Sequence, residues 1–202
     1  VMTEGDFLFP GGLLAELESL YVGQPISLEL LDGVIRFIIE AYRETDYPLV
    51  DVYLPEQDIT EGKLQVVVRE ALLGEVKVEG VEYFRPRYLV RQVRMEPGER
   101  LNTWVLEQDI DWMNTNPGRR VDIIYERGEE DGTSDIILQT TEVKPYSTFV
   151  SFGNTGVKAT GENEFTVGYR NTNVLGTEQS ISYNFSGDYR FNNLHSHVMV
   201  YE

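Results

Sequence analysis

The sequence predicts an α+β fold in which one small unit occurs twice and a set of antiparallel strands follows. The order helix, helix, strand, strand occurs in residues 1–72 and again in residues 73–145, and the second copy opens with a recognisable strand. Residues 146–202 differ, because they are rich in Ser, Thr, Asn, Gly and aromatic residues and carry few helix signals. Two small units and a strand region account for 202 residues better than one large domain does.

The first unit contains two predicted helices and two predicted strands. LLAELESL predicts a short helix, and residues 28–43 place apolar side chains at helical spacing behind Ser27, which is a suitable N-cap. PLVDVYL alternates with the period of a strand, and KLQVVVRE follows as a second strand. DFLF at residues 6–9 is expected to supply the strand that precedes the helices.

The second unit repeats this order with its first strand present. GEVKVEG alternates valine with charged residues and predicts a half-buried strand, and RPRYLVRQV predicts a short helix. A longer helix is predicted over residues 103–114, where Asn116, Pro117 and Gly118 supply the stop signal. RRVDIIYE and SDIILQTTE then predict a hairpin, joined by the loop RGEEDGT.

The last part of the chain alternates apolar and polar side chains. FTVGYRN and SISYNFS each place aromatic and aliphatic residues on one face and small polar residues on the other, and NVLGTE between them is a turn. A strand of a soluble sandwich has this pattern, and so does a strand of a transmembrane barrel. The pattern alone leaves both interpretations open.

Composition excludes several classes of protein. Thirty-four acidic residues against seventeen basic ones give a net charge of -17, which disfavours nucleic acids as partners. The absence of cysteine excludes disulfides, thiol nucleophiles and cysteine-ligated metals. No apolar run of about 18 residues predicts a membrane-spanning helix, and the N-terminus has no signal-peptide pattern. We expect a piece of a longer protein.

No catalytic, cofactor or metal site is predicted, and we do not expect an enzyme. His195 and His197 would face one side of a strand, but no further ligand is evident beside them. The acidic loop from Glu129 to Asp131 lacks the alternating ligands of a calcium loop. The serines have no paired base, and no glycine-rich phosphate loop is present.

Three segments resemble the two-partner secretion transporters, the TpsB or hemolysin-activator (ShlB/FhaC-like) family. YLPEQDITEGKLQVVVREALLGEVKVEG resembles that family's first POTRA domain and inter-domain junction, and WMNTNPGRRVDIIYERGEEDGTSDIILQTTEVKP resembles its second. FGNTGVKATGENEFTVGYRNTNVLGTEQSISYNFSGD resembles the entry into its barrel. The resemblance implies POTRA domains at residues 1–72 and 73–145, and at residues 146–202 the first strands of a transmembrane β-barrel that these residues do not complete.

The resemblance also implies a function. Such transporters hold their POTRA domains in the periplasm, here residues 1–145, and their barrel in the outer membrane. They recognise an unfolded exoprotein, a TpsA-like adhesin, cytolysin or enzyme, and export it through the barrel without spending a nucleotide. The expected partners are therefore the exoprotein and the rest of the chain's own barrel, with no nucleic acid and no cofactor.

An unfolded client can bind as an added strand at a free sheet edge. One candidate edge is PLVDVYL, with Val50, Val52 and Leu54, and the other is RRVDIIYE. The favoured edge is the second, because it adjoins the barrel; its alternating residues are Arg119, Val121, Ile123 and Tyr125. An ordinary role in the sheet core remains an alternative for these side chains.

Two other functions stay open. Related POTRA-barrel proteins insert other barrel proteins into the outer membrane, although they usually carry more than two POTRA domains. A soluble scaffold or glycan-binding β domain is the third possibility, and it would expose a set of tyrosines from the last region: Tyr146, Tyr169, Tyr183 and Tyr189. That possibility predicts that residues 146–202 fold alone in water.

Overall fold

The structure, a computed structural model, describes residues 11–59, 62–154, 163–190 and 195–202. Its elements in chain order are α1 (Leu13–Tyr21), α2 (Leu28–Arg43), β1 (Val50–Tyr53), β2 (Val67–Glu70), β3 (Leu72–Glu79), α3 (Pro86–Val90), α4 (Thr103–Met113), β4 (Arg119–Arg127), β5 (Thr133–Glu142), β6 (Tyr146–Gly153), β7 (Glu164–Val174), β8 (Gln179–Asp188) and β9 (His195–Tyr201). The predicted strand at residues 6–9 lies outside the described residues. No helix in the described parts of the chain is long and apolar enough to span a membrane.

The α+β fold class is confirmed, and the strands form three sheets. β1 and β2 form a two-stranded sheet, and β3, β5 and β4 lie in that order in a three-stranded sheet. β6, β7, β8 and β9 form an antiparallel sheet of neighbours in sequence. The chain divides into two compact units, one of residues 1–76, 93–109 and 124–137 and one of residues 77–92, 110–123 and 138–202.

Helix α2 forms where the sequence predicts it because both its cap and its apolar stripe are local. The Ser27 side chain accepts a hydrogen bond from the Leu30 backbone N–H at 3.1 Å, which satisfies one of the unpaired donors of the first turn. Val34, Ile38 and Tyr42 are buried on one side of the helix. Together with Leu13 of α1 and Val52 of β1, they form the core of the first repeat.

The β1–β2 ladder ends earlier than the pattern KLQVVVRE predicts, and the side chain of Gln57 explains this. Tyr53 pairs with Val67, so the ladder would next bring Pro55 beside Gln65, and proline has no N–H to donate. The Gln57 amide takes this position instead: its Oε1 accepts the Gln65 N–H at 2.6 Å and its Nε2 donates to the Gln65 carbonyl at 2.8 Å.

The four-stranded sheet has the alternating faces that the sequence predicts. Val167 of β7 pairs with Val150 of β6 and with Phe185 of β8, so the apolar residues of neighbouring strands share a face. The opposite face carries small polar residues, such as Thr166 and Ser186, whose hydroxyl groups hydrogen-bond at 2.8 Å. These strands therefore form a sheet with one apolar face and one polar face.

Candidate functional site

β4 is an edge strand, and the side to which its backbone groups point follows from its hydrogen bonds. The Glu126 carbonyl accepts from the Ser134 hydroxyl, and the Gly128 N–H donates to the Thr133 carbonyl, so even-numbered positions point toward β5. Because neighbouring residues of a strand alternate, the odd-numbered positions from 119 to 127 point away from the sheet. These include all four residues that the sequence favours as a client edge.

Part of this outward edge is already occupied. The Arg119 N–H donates to the Asn116 carbonyl at 3.4 Å. At the next outward position the side-chain amide of Asn114 makes two bonds to Val121: its Oδ1 accepts the N–H at 2.7 Å, and its Nδ2 donates to the carbonyl at 2.9 Å. Asn114 thus pairs with Val121 as a neighbouring peptide group would, and an added strand would begin at Ile123.

The side chains of the four predicted edge residues lie in different environments. Arg119 and Val121 are buried, Ile123 is half-buried and Tyr125 is 37% exposed. Burial and then the nearby charge of Glu107 raise the pKa of Tyr125. The same residues thus contribute side chains to the sheet core and backbone groups to its edge.

The other predicted edge belongs to the two-stranded sheet. Val50 and Val52 of β1 pair with Glu70 and Val68 of β2. Val52 is buried in the core of the first repeat, and Leu54 follows the last residue of the strand. Both candidate edges therefore contain a fully or nearly buried valine at their centre.

A second candidate site lies within the second compact unit, at the segment before α3. The carboxylate of Glu142 accepts three consecutive backbone N–H groups, those of Glu82 at 2.9 Å, Tyr83 at 2.5 Å and Phe84 at 3.1 Å. Charge-assisted bonds of this kind are stronger than neutral ones. They fix the backbone of residues 82–85. The Tyr83 carbonyl and the Arg85 N–H of this segment then bind the turn between β7 and β8.

The β7–β8 turn, residues 173–178, has an unusual backbone. Leu175 and Glu178 have φ angles of 59° and 65°, which are uncommon for residues other than glycine. Gly176 lies at φ 71°, and a Cβ atom there would be 2.9 Å from both the Arg85 nitrogen and the Tyr83 carbonyl oxygen. A glycine is required at this position.

Two hydrogen bonds attach the turn to the segment before α3. The Arg85 N–H donates to the Gly176 carbonyl at 3.2 Å, and the Asn173 Nδ2 donates to the Tyr83 carbonyl at 3.1 Å. Asn173 is itself buried, and its Oδ1 accepts the Glu178 N–H at 3.0 Å, which holds the turn in shape. We call the residues that hold the turn the turn socket: Tyr83, Phe84, Arg85, Tyr88 and Arg119.

Arg119 supplies the charge of the turn socket. Its side chain is 1% exposed, and its Nη1 forms an ion pair with the Glu178 carboxylate. The guanidinium carbon lies 4.7 Å from the centre of the Phe84 ring, at cation–π distance. The buried Nε has no hydrogen-bond partner among the described residues. Burial, followed by the Glu178 charge, raises the pKa of Tyr88 beside this pair, whereas Arg119 acts to lower it.

Sequence reasoning placed Arg119 on the β4 edge but did not find its partner. Glu178 is 59 residues away and belongs to a turn whose sequence, NVLGTE, predicts only a reversal of the chain. One signal was available: Arg119 shares a strand face with Val121, and a charged residue on an apolar face needs a buried partner.

A third polar cluster is buried in the first compact unit. The Glu70 side chain is 4% exposed and its Oε2 accepts from the Arg100 Nη1 at 3.2 Å. The Tyr42 hydroxyl is buried nearby without a hydrogen-bond partner among the described residues. Burial first, and then the Glu70 carboxylate, raise the pKa of Tyr42 to about 12, against the opposing influence of Arg100.

Tyr42→Phe is expected to remove an alkaline loss of stability. Below the unfolded-state pKa of 10.0 the Tyr42 hydroxyl is neutral in both states; as the pH rises from there toward about 12 it ionises in the unfolded state first, which lowers the free energy of unfolding. A shift of this size corresponds to about 2–3 kcal/mol, of which about half is lost by pH 11, midway between the two pKa values. Urea unfolding at pH 7 and pH 11 measures the difference between variant and parent. An unchanged alkaline slope in the variant would contradict the assignment; at pH 7 the variant should be as stable as the parent.

The histidines of β9 lie on one side of their sheet, since His195 pairs with Gly187 and His197 with Phe185. The Nδ1 of His197 is 2.7 Å from the Tyr183 hydroxyl oxygen. Within the described residues no group of three or more His, Cys, Asp or Glu residues is arranged to hold a metal ion. In the acidic loop, Asp131 forms ion pairs with Arg69 and Arg127.

Comparison with known proteins gives two family matches. Residues 1–71 match the family described as "POTRA domain, ShlB-type", and residues 132–201 match "Haemolysin secretion/activation protein ShlB/FhaC/HecB". The heme/hemopexin transporter protein HuxB of Haemophilus influenzae is 25% identical over 165 residues, which is 81% of this chain and 29% of that protein. The chain therefore spans less than a third of this relative's length.

Two solved structures share the fold. CdiB from Escherichia coli superposes with a TM-score of 0.64 at 23% identity, covering 94% of this chain and 35% of that one. BamA from Haemophilus ducreyi lacking POTRA domains 1–3 has a TM-score of 0.51 at 19% identity, over 92% of this chain and 36% of that one. At these identities both likenesses show the fold alone.

Proposed function

Since residues 1–71 match the ShlB-type POTRA domain and residues 132–201 match the haemolysin secretion/activation family, we propose that the chain is part of an outer-membrane transporter that recognises an unfolded exoprotein in the periplasm and leads it into the transport barrel. In this proposal residues 1–72 and 73–145 are the two POTRA domains, and residues 146–202 are the first barrel strands. The client is an adhesin, a cytolysin or an enzyme of the two-partner secretion type. The proposed role is a part in transport, not catalysis.

The observation that carries this proposal is the outward edge of β4. Main-chain groups of an edge strand can bind any extended segment, because every residue of a client supplies the same N–H and carbonyl groups. A transporter that handles long unfolded clients needs this tolerance of sequence. The half-buried Ile123 and the partly exposed Tyr125 border the edge and would contact alternate client side chains.

Ile123→Pro is expected to weaken client binding by about tenfold or more. Proline removes the outward N–H of residue 123, and one lost main-chain bond with the distortion around it is worth about 1–2 kcal/mol. The measurement is binding of the unfolded N-terminal secretion domain of a neighbouring exoprotein to the full-length transporter in detergent. Ile123→Val is the matched control, because it keeps the N–H and the branched side chain, and it should bind like the parent.

The competing functions give different results in the same assay. An assembly factor would prefer a nascent barrel protein to the exoprotein, and that preference would replace our proposal. Equal binding by Ile123→Pro and Ile123→Val would exclude β4 as the edge. A soluble β domain predicts that residues 146–202 give a folded circular dichroism spectrum in water without detergent, which a membrane strand region would not give.

A further inference from the structure

We infer that Arg119 is a positioning residue for export, which couples the β4 edge to the β7–β8 turn through its ion pair with Glu178. This inference rests on the proposed function and goes beyond it, because client binding alone requires only the edge. The backbone of Arg119 belongs to the outward edge of β4, while its guanidinium binds the turn between two strands of the four-stranded sheet. Arg119 thus lies on the edge strand, before Ile123 where an added strand would begin, and its side chain holds the turn.

The charge of Arg119 is buried and needs partners. A guanidinium that is 1% exposed is costly to bury unless ionic and hydrogen-bonding partners surround it. Glu178 supplies the opposite charge, the Phe84 ring supplies a cation–π face, and the Gln92 Oε1 lies 3.4 Å from Nη2. Because Glu178 is on the turn, release of the turn would leave the buried charge of Arg119 without its ionic partner.

The backbone conformation of the β7–β8 turn depends on the contacts that hold it. Two residues of the turn, Leu175 and Glu178, hold positive φ angles, each at a cost of about 1–3 kcal/mol for a residue that is not glycine. Such angles persist only where surrounding contacts determine them. Here the contacts are the Arg85 N–H, the Tyr83 carbonyl and the Arg119 guanidinium. The contacts with the turn socket therefore determine the backbone conformation of the turn.

The turn socket is anchored to β5. Glu142, the last residue of β5, binds the three N–H groups just before Arg85, and β5 is the strand that pairs with β4. The two sides of the turn socket, Arg119 on β4 and residues 82–85, are thus both held by β5. A displacement of β4 by an added strand would move the guanidinium relative to the turn.

The test uses the full-length transporter and the pair Leu175→Cys and Arg87→Cys. Both side chains are exposed. Residues 1–202 contain no native cysteine, so within them the spin labels attach at the two introduced cysteines. The parent should give one narrow distance distribution. Glu178→Gln should broaden it and lower export of the client by at least about tenfold, as expected when a buried charge loses its partner. Client binding should stay unchanged in this variant.

Arg119→Gln is the second variant, and it should broaden the distribution in the same way. Arg120→Gln is the matched control, because Arg120 is an exposed neighbour whose carboxylate partner, Asp122, is on its own strand. The control should keep the narrow distribution and normal export. A broadened distribution with normal export in Glu178→Gln would overturn the inference, and so would a narrow distribution in both variants. Failure of the parent to bind or export the client would instead refute the proposed function.

Discussion

Gly80→Ala is expected to destabilise the second repeat by about 3 kcal/mol or more. Gly80 directly follows β3 with a φ angle of +76°, and a Cβ atom there would lie 2.1 Å from the Thr140 carbonyl oxygen. The left-handed conformation costs alanine about 1–2 kcal/mol, and relief of the overlap costs about another 1–3 kcal/mol because the obstacle is backbone. Urea unfolding, monitored by circular dichroism, measures the free energy of unfolding.

Gly98→Ala is the matched control for this prediction. Gly98 has a similar φ angle of +90°, but a Cβ atom there would meet nothing within 4 Å. Its alanine variant should therefore lose only the conformational part, about 1–2 kcal/mol. Equal losses at both positions would show that the close approach between Gly80 and Thr140 adds nothing to the loss of unfolding free energy.

Glu142→Ala should have an effect of the same order, at about 3 kcal/mol. The substitution leaves the backbone N–H groups of Glu82, Tyr83 and Phe84 without the carboxylate, and a bond to a charged group contributes about 1.5–3 kcal/mol. Part of this loss is regained because Glu82 is exposed to water. Loss of the carboxylate should also raise the hydrogen-exchange rate of these three amides.

The control for Glu142 is Glu126→Ala, which removes an exposed carboxylate from β4. This variant should unfold within about 0.5 kcal/mol of the parent, as surface substitutions generally do. Glu142→Gln should fall between the two, since the amide keeps one acceptor oxygen and loses the charge. Unchanged amide exchange at residues 82–84 in Glu142→Ala would contradict the three-bond geometry.

The helices and the faces of the strands could be predicted because their causes are close together in sequence. Ser27 and the stripe through Val34, Ile38 and Tyr42 determine the start and the buried side of α2 within 16 residues. The alternation in β7 and β8 likewise needs only the period of a strand. The end of β2 could not be found this way, because Gln57 closes the ladder at Gln65 through its side chain.

The candidate edge could be predicted as a strand but not as a set of available hydrogen-bonding groups. The pattern RRVDIIYE places Arg119, Val121 and Ile123 on one face, as the structure does. It cannot show that Asn114 occupies the backbone of Val121, because a side chain that follows a helix has no periodic pattern of its own. The turn socket was not predicted, because it depends on contacts such as Arg119–Glu178 and Tyr83–Asn173, whose residues are 59 and 90 positions apart in sequence.

The Asn114 amide also bears on self-association. A strand that pairs with an open edge presents a new open edge, so the sheet can continue to grow from one molecule to the next. Asn114 offers Val121 one donor and one acceptor but presents no further row of peptide groups behind them. Addition of further strands at Val121 therefore stops at the Asn114 side chain. Asn114→Ala would remove this stop, and concentrated samples of that variant should bind thioflavin T sooner than the parent.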